Sequence, residues 1–229
     1  MQIRPDVYWI KGKASNLYLC GEKDGLTLID AGVPGEQGLV FDLLYQLGHK
    51  PPDIVRILIT HADIDHAGSL AAFQKATGAP VFAGELTADF LKRGKSPPHL
   101  PRPMQWLSNT FIRYGAIAEN CITNFTAGDL LPVLGGLQAI ATPGHTLGHF
   151  SFYSPSTGVL FAGDAIDPRR GRLNRTRKMI TADEELANQS AIRLIELAPA
   201  TFACGHGDPL TGHDSGELMK FFNTLRQER

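Results

Sequence analysis

The chain has 229 residues, of which 43% are hydrophobic, enough to build a sizeable core. Its 22 basic and 23 acidic residues leave a net charge of -1, so no global field attracts nucleic acid or anionic lipid. We therefore expect neither a nucleic-acid nor a membrane partner. No secretory signal or long apolar run is visible, and the three scattered cysteines suggest free thiols, so we expect a cytoplasmic protein.

The first half of the chain predicts a meander of strands followed by alternating strands and helices. Three short apolar runs separated by turn residues predict antiparallel strands, namely "VYWI", "LYLC" and "LTLID". The spacing in "EQGLVFDLLYQLGHK" predicts a helix that ends near Gly48. The next segments predict in turn a buried strand, a helix, a strand and a helix: "DIVRILIT", "AGSLAAFQKATG", "PVFAG" and "ELTADFLKRG".

The second half repeats this order after a proline-rich interruption. Four prolines in "KSPPHLPRPMQW" argue against regular structure there. Strands are predicted in "FTAGDLLPVLGGLQAIATPG", "HFSFYSPSTGVLFAGD" and "ATFACG", with the helix "TADEELANQSAIRLIEL" before the last of them. Two comparable halves of strands and helices predict two sheets packed face to face with helices outside.

Histidines and aspartates recur at the predicted strand ends. His61, Asp63, Asp65 and His66 follow the strand "DIVRILIT" within "THADIDHAGSL", where side chains project from a rigid scaffold. His145, Asp164 and His206 also follow strands and stand near glycines, which let the backbone approach an ion. Seven such residues in similar settings predict a metal site.

These motifs resemble the metallo-β-lactamase superfamily over nearly the whole chain. The family pattern H-x-H-x-D-H, followed by a histidine, an aspartate and a histidine, matches His61 to His66, His145, Asp164 and His206. The early family aspartate matches Asp30 in "TLIDAG". The resemblance implies an α+β fold, an αββα sandwich of two mixed sheets flanked by helices, as a single domain over residues 1–229.

The same resemblance implies two divalent metal ions, with zinc as the main expectation and iron or manganese as alternatives. It implies that one ion is held by His61, Asp63 and His145, that the other is held by Asp65, His66 and His206, and that Asp164 bridges both. Asp30 would accept a hydrogen bond from a ligand imidazole and fix its orientation. Asp65 is also the candidate catalytic residue, since it could orient the attacking water or accept its proton.

Asp63 departs from the family pattern, which has histidine at this place. A carboxylate is still a good donor, because Zn–O bonds of about 2.0 to 2.2 Å are as acceptable as Zn–N bonds. It adds negative charge and moves the preference towards iron or manganese. Flavodiiron proteins, which share this fold, carry a glutamate there. The alternative is that Asp63 points away and leaves one metal position weak.

The implied activity is metal-assisted hydrolysis of an ester, lactone or thioester of a small molecule, and an anionic molecule is one option. Two alternatives stay open, a di-iron oxygen-handling protein of the flavodiiron type and a metal-poor binding protein. A flavodiiron enzyme needs a flavodoxin domain or partner, so the length favours hydrolysis. Glyoxalase II-type thioesterases carry an extra C-terminal helical part, whereas only 23 residues follow His206 here.

Several further residues lie near these motifs, and two of the segments have two alternative interpretations. The basic segment 169–178 predicts either a clamp for carboxylate or phosphate or a solvated loop, and residues 95–109 either a lid or a surface connection. We expect His149 to support the ligands and Cys204 to be a buried small hydrophobe. His49, His99 and His213 are left out of the ligand set.

Overall fold

The computed structural model describes residues 1–101, 103, 105–106, 113–169, 172–212 and 215–227. The chain forms two compact units. The N-terminal unit comprises Met1–Pro97 and Pro103–Thr126, and the C-terminal unit comprises Pro98–Arg102 and Ala127–Arg229. That residues 1–229 form a single domain stays a prediction.

The N-terminal unit contains a seven-stranded sheet whose strand order follows the chain. Its strands are β1 (Gln2–Arg4), β2 (Val7–Lys11), β3 (Asn16–Glu22), β4 (Gly25–Ile29), β5 (Ile54–Leu58), β6 (Val81–Gly84) and β7 (Ile122–Phe125). The pairs from β1 to β4 are antiparallel, as the sequence predicted, and those from β4 to β7 are parallel. The carboxyl ends of β4 and β5 therefore meet at one edge of the sheet.

Four α-helices accompany this sheet in the described residues up to Leu91. They are α1 (Gln37–Gln46), α2 (Ile64–Ala67), α3 (Leu70–Thr77) and α4 (Glu85–Leu91). The core of the unit contains fully buried side chains from strands and helices alike, including Leu28, Ile57, Leu44 and Phe73. Gly48 has φ of 80° just after α1, which is the left-handed conformation expected where a helix stops.

The C-terminal unit contains a six-stranded mixed sheet in the order β15-β14-β11-β10-β9-β8 and a separate two-stranded hairpin. The sheet strands are β8 (Leu130–Leu131), β9 (Leu137–Ala141), β10 (Phe150–Ser154), β11 (Val159–Gly163), β14 (Thr201–Cys204) and β15 (Leu210–Thr211). The hairpin strands are β12 (Asp167–Arg169) and β13 (Arg172–Asn174). Strands β11 and β14 are parallel neighbours, so Asp164 and His206 follow adjacent strand ends.

In the described residues of this unit the α-helices are α5 (Glu184–Glu196) and α6 (Ser215–Gln227). Its core joins the sheet to α5 through Leu160, Phe202 and Leu194, which are fully buried. The predicted strands and the predicted helix before the last of them are therefore confirmed. Sequence reasoning did not predict the hairpin β12–β13, which forms within the basic segment.

The proline-rich segment differs in part from its prediction. Pro103, Gln105 and Trp106 are helical, so the absence of regular structure is wrong for these residues. Proline is compatible with the first turn of a helix, because the amide it lacks would have no intrahelical partner there. Arg102, Met104 and residues 107–112 lie outside the described residues, and a lid role for the segment stays a prediction.

Two expectations from composition can be compared with the described residues. No helix among them is long and apolar enough to cross a membrane. All three cysteines are described, and none forms a disulfide. Cys204 is fully buried, as predicted, and burial raises the pKa of its thiol far above the ordinary value.

Replacing Asp183 tests how firmly the start of α5 is fixed. The Asp183 carboxylate accepts a hydrogen bond of 3.0 Å from the Leu186 amide and caps the helix. We expect Asp183→Ala to lower the free energy of unfolding by about 1 kcal/mol, measured by chemical denaturation. Asp183→Asn keeps an acceptor oxygen and serves as the control. Equal losses in both variants would contradict the capping role.

Candidate metal centre

Asp30 joins the ends of two neighbouring strands in the N-terminal unit. It follows β4 with φ of 59°, a left-handed conformation that aspartate tolerates better than most residues. Its buried carboxylate accepts hydrogen bonds of 2.9 Å from both the amide and the hydroxyl of Thr60, just after β5. The carboxylate is thereby fixed at the edge where the parallel strands end.

The Asp30 carboxylate determines which nitrogen of each nearby imidazole is available to bind a metal ion. His66 Nδ1 lies 2.8 Å from Asp30 Oδ2, so it carries a proton and donates it. The hydroxyl proton of Thr60 is used towards Asp30, so Thr60 accepts from His61 Nδ1 at 3.0 Å. Nδ1 of both imidazoles is thus engaged as a donor, so in the neutral form of each ring the lone pair lies on Nε2, the form that binds a metal.

Two carboxylates lie beside these Nε2 atoms. His61 Nε2 is 3.5 Å from Asp63 Oδ2, and His66 Nε2 is 3.9 Å from Asp65 Oδ2. The two imidazole rings are fully buried, with centroids 4.2 Å apart. Asp63 is also buried and turns towards the imidazole, contrary to the alternative in which it points away. All four residues of the predicted motif are brought together.

The loop that carries these residues is braced from distant parts of the unit. The Tyr114 hydroxyl donates to the Ala62 carbonyl at 2.8 Å, and the Ser96 hydroxyl accepts from the Ile64 amide at 3.0 Å. Burial raises the pKa of Tyr114 well above its ordinary value, and the Asp63 carboxylate raises it further, so the hydroxyl stays protonated. Sequence reasoning missed both braces, because no local pattern marks a residue 52 positions from its partner.

In the C-terminal unit, His145 lies on a loop held against the start of α5. Gly144 has φ of 144°, and a Cβ there would come within 2.3 Å of the Ala187 backbone, so only glycine fits. The Gly144 and His145 carbonyls accept hydrogen bonds of 3.0 Å from the amides of Asp183 and Ala182. The loop and the helix thus fix the backbone position of His145.

Asp164 faces two imidazoles with one oxygen. Its Oδ2 lies 3.6 Å from His145 Nε2 and 3.0 Å from His206 Nε2. Asp164 and His145 are buried, whereas the His206 side chain is one third exposed. One carboxylate oxygen of Asp164 thus lies near two imidazoles, and the bridging of two ions by Asp164 stays a prediction.

His149 accepts a hydrogen bond from the Asp164 amide. A chain of further hydrogen bonds fixes which ring nitrogen of His149 is the acceptor. The Ser151 hydroxyl donates to the Ala162 carbonyl, and so it accepts from Thr142 at 2.9 Å. Thr142 in turn accepts from His149 Nδ1 at 2.7 Å, which leaves His149 Nε2 to accept from the Asp164 amide at 3.0 Å. Both ring nitrogens of His149 are used, so it orients Asp164 and binds no ion itself.

The remaining histidines divide into three cases. His99 is nearer to the candidate ligands than the sequence indicated, since its ring centroid is 4.9 Å from that of His145. No strand end or motif marks His99, which explains why sequence reasoning left it out. His49 is partly exposed and lies 3.3 Å from Asp53, consistent with its exclusion. His213 lies outside the described residues.

The donor chemistry of each unit fits a divalent transition-metal ion. The N-terminal unit presents two imidazoles with two carboxylates, and the C-terminal unit presents two imidazoles around one carboxylate. Imidazole nitrogen and carboxylate oxygen are the usual ligands of zinc, and more carboxylate favours iron or manganese. That these seven residues bind metal stays a prediction, but their types and positions are suitable.

The fold and these donors define a metal-binding α+β protein. The chain belongs to the metallo-β-lactamase superfamily, because the family model of that description matches residues 10–206. The superfamily assignment and the predicted fold class, α+β with two mixed sheets and flanking helices, are confirmed.

Individual relatives agree with this assignment. The chain is similar to the probable metallo-hydrolase YflN of Bacillus subtilis, with 28% identity over 96% of this chain and 90% of the relative. It is 31% identical to the hydroxyacylglutathione hydrolase of Idiomarina loihiensis over 81% of this chain, but spans only 57% of that relative. A metallo-β-lactamase family structure, TTHA1429 from Thermus thermophilus, covers 99% of this chain and 80% of its own with TM-score 0.77 and 23% identity. The protein is thus a metallo-hydrolase of this superfamily.

Replacing His149 tests its role in orienting Asp164. His149→Phe keeps the ring but removes the acceptor for the Asp164 amide, so we expect metal affinity to fall about tenfold to a hundredfold. Competition with a chromophoric chelator would measure this change, and circular dichroism would check folding. His149→Gln can place an amide oxygen near the same amide and should retain more affinity than His149→Phe.

The matched control for this experiment is His49→Phe, which removes a partly exposed imidazole paired with Asp53. We expect it to bind metal as the wild type does. Wild-type metal affinity in folded His149→Phe would contradict the positioning role.

Proposed function

We propose that this protein binds two divalent ions, with zinc as the first expectation, and hydrolyses an ester, lactone or thioester of a small molecule. The carrying observation is the orientation of His61 and His66, whose Nδ1 atoms are engaged so that each Nε2 faces a carboxylate. Membership in the superfamily supports the assignment of both donor sets to one catalytic function.

Two divalent ions held by these residues would lower the pKa of the attacking water and polarise the carbonyl under attack. The residues of this chain hold the reacting groups in place. Asp65 is the most exposed carboxylate of the N-terminal donor set, with 26% of its side chain accessible, while Asp63 is buried. The Ser15 hydroxyl donates to the Asp65 backbone carbonyl and fixes its position. We assign to Asp65 the orientation of the water and the acceptance of its proton.

A thioester is one substrate class with specific support. The hydroxyacylglutathione hydrolase relative acts, by its name, on an acylated thiol, and it is similar to most of this chain. Because the chain spans little more than half of that relative, glutathione itself is not part of the proposal. We expect acyl thioesters, esters or lactones of smaller molecules to be hydrolysed.

Asp63 supports a second candidate, the di-iron oxygen-handling protein. Its buried carboxylate beside His61 adds an anionic oxygen where the family pattern has a neutral imidazole, and this favours harder ions. Iron in the purified protein, together with oxygen consumption and no hydrolysis, would favour this candidate. A cytoplasmic location stays a prediction.

Metal content and turnover test the proposal directly. Protein purified without added ions should contain about two ions per chain by mass spectrometry and should hydrolyse members of a thioester, lactone and ester panel. Asp164→Asn should lose affinity at both positions, because one carboxylate oxygen faces both His145 and His206. Asp89→Asn, which removes an exposed carboxylate paired with Lys92, is the control.

The measured metal content and turnover separate the candidates. Loss of both ions and of turnover in Asp164→Asn, but not in Asp89→Asn, supports the proposal. A folded wild-type protein that takes up less than about one ion even from added metal, and turns over no substrate, would identify a metal-poor binding protein instead.

Two substitutions test whether Asp63 is a metal ligand. Asp63→His restores the family pattern, and we expect it to retain both ions while shifting the preference from iron or manganese towards zinc. Asp63→Ala removes the donor and should weaken one ion about tenfold or more, measured by chelator competition. Unchanged metal preference in the first variant and unchanged occupancy in the second would count against Asp63 as a ligand.

A further inference from the structure

The C-terminal unit contains a cavity beside His206 that the metal ligands do not account for. Its volume is about 1190 Å³, and the hairpin β12–β13 and the residues after it form much of its lining. Substrate pockets are commonly about 300 to 1000 Å³, so this space can hold far more than a single scissile bond. Side chains relevant to recognition are Asp167, Arg172, Asn174, Arg177, Ile180 and His206.

The charge of this lining is positive. Arg172 and Arg177 contribute two guanidinium groups against the single carboxylate of Asp167, in a chain whose net charge is -1. In the part of the chain that the structure describes, no carboxylate pairs with Arg177. A guanidinium group offers a planar fork of donors that matches the oxygens of a carboxylate or a phosphate.

The other basic residues of segment 169–178 are used differently. Arg175 and Lys178 line a separate and much smaller space, and Lys178 lies 2.7 Å from Glu184. Arg170 and the Arg169 side chain lie outside the described residues. The segment is therefore not a uniform charged loop, because Arg172 and Arg177 line the cavity beside His206 whereas Arg175 and Lys178 do not.

The cavity wall is fixed relative to His206 by close packing. Gly207 has φ of 69°, and a Cβ there would lie 2.3 Å from the Pro168 carbonyl oxygen of the hairpin. Asn174 donates a hydrogen bond of 2.8 Å to the Arg172 carbonyl and stabilises the second hairpin strand. A group bound by the arginines would thus be held at a defined distance from the candidate ligand His206.

We propose that this cavity is a subsite for an anionic oxyacid group, a carboxylate or a phosphate, carried by the substrate away from the bond that is hydrolysed. Arg172 and Arg177 bind the anion, and Ile180 provides an apolar surface for the intervening carbon atoms. The proposal rests on the proposed function, since it takes His206 as a ligand of the catalytic ions. It adds a charged group to the substrate class.

Turnover of a matched substrate pair tests the subsite. The pair is S-acetyl-3-mercaptopropionate and its neutral amide, which differ in the distal anion. We expect the wild type to favour the carboxylate by about tenfold in kcat/KM, because hydrogen bonds to an ionised group are much stronger than neutral ones. In Arg172→Gln/Arg177→Gln the ratio should fall towards one, and Arg177→Lys should lie between. Equal kcat/KM for both substrates in the wild type overturns the subsite, although hydrolysis of either supports the proposed function.

A binding measurement tests the subsite even if neither thioester is hydrolysed. Isothermal titration calorimetry with glutarate and with inorganic phosphate distinguishes a carboxylate site from a phosphate site. We expect the wild type to bind at least one of them and the double variant to bind it about tenfold more weakly. Failure of both anions to bind the wild type, or equal binding by a folded double variant, overturns the proposal.

Arg175→Gln is the matched control, because it removes one positive charge from the same segment but outside the cavity. We expect it to keep the wild-type substrate ratio and anion affinity. If it lowers them as much as Arg172→Gln/Arg177→Gln does, the effect is general electrostatic attraction and the subsite is overturned. Metal content measured in every variant shows that the ligand set is intact.

Discussion

The Asp30 carboxylate is the constraint on which the N-terminal donor set depends. It can reach Thr60 and His66 because β4 and β5 are parallel neighbours, so their carboxyl ends share one edge. One buried anion fixes the direction of the Thr60 hydroxyl, and this direction fixes the proton of His61. The fold therefore sets the protonated nitrogen of two imidazoles before any ion binds, so less reorganisation is needed on binding.

In the C-terminal unit, a neutral side chain, His149, orients a candidate ligand as the Asp30 carboxylate does in the N-terminal unit. There a hydroxyl chain ending at the Ala162 carbonyl leaves His149 Nε2 as an acceptor for the Asp164 amide. This difference is consistent with charge balance under the proposed function. If the carboxyl groups of Asp30, Asp63, Asp65 and Asp164 are ionised when metal is bound, their four negative charges equal the charge of two divalent ions. A charged group in place of His149 would upset this balance in a buried setting, where uncompensated charge is costly.

Sequence reasoning predicted that the candidate ligands lie in short motifs after strands, and the structure has them there. That they bind metal stays a prediction. The same reasoning placed Asp30 correctly as an acceptor for a ligand imidazole, since the resemblance marked it and parallel pairing brings it to His66. It missed Tyr114, His99 and the hairpin β12–β13. Tyr114 and His99 act through contacts with segments far apart in the chain, and neither periodicity nor a local motif encodes such contacts. The hairpin pairs residues close in sequence, but the basic composition of the segment indicated a clamp or a solvated loop instead. Pro103 is a related case. Proline generally argues against a helix, but it is tolerated in the first turn, where Pro103 lies.

Under the proposed function, the residues for catalysis and those for substrate recognition lie on different parts of the fold. The candidate ligands follow strands whose side chains belong to the two buried cores, so a change in one of them disturbs packing as well as chemistry. Arg172 and Arg177 instead lie on or after a two-stranded hairpin outside the main sheets, and their side chains are exposed. Substitutions there cost little stability, so the charge of the cavity can change while the donor set stays intact. The contact of Gly207 with Pro168 limits this freedom, because it fixes the hairpin to the loop of His206. Selection for a new substrate on this fold would therefore act first on the arginines and only later on the strand ends.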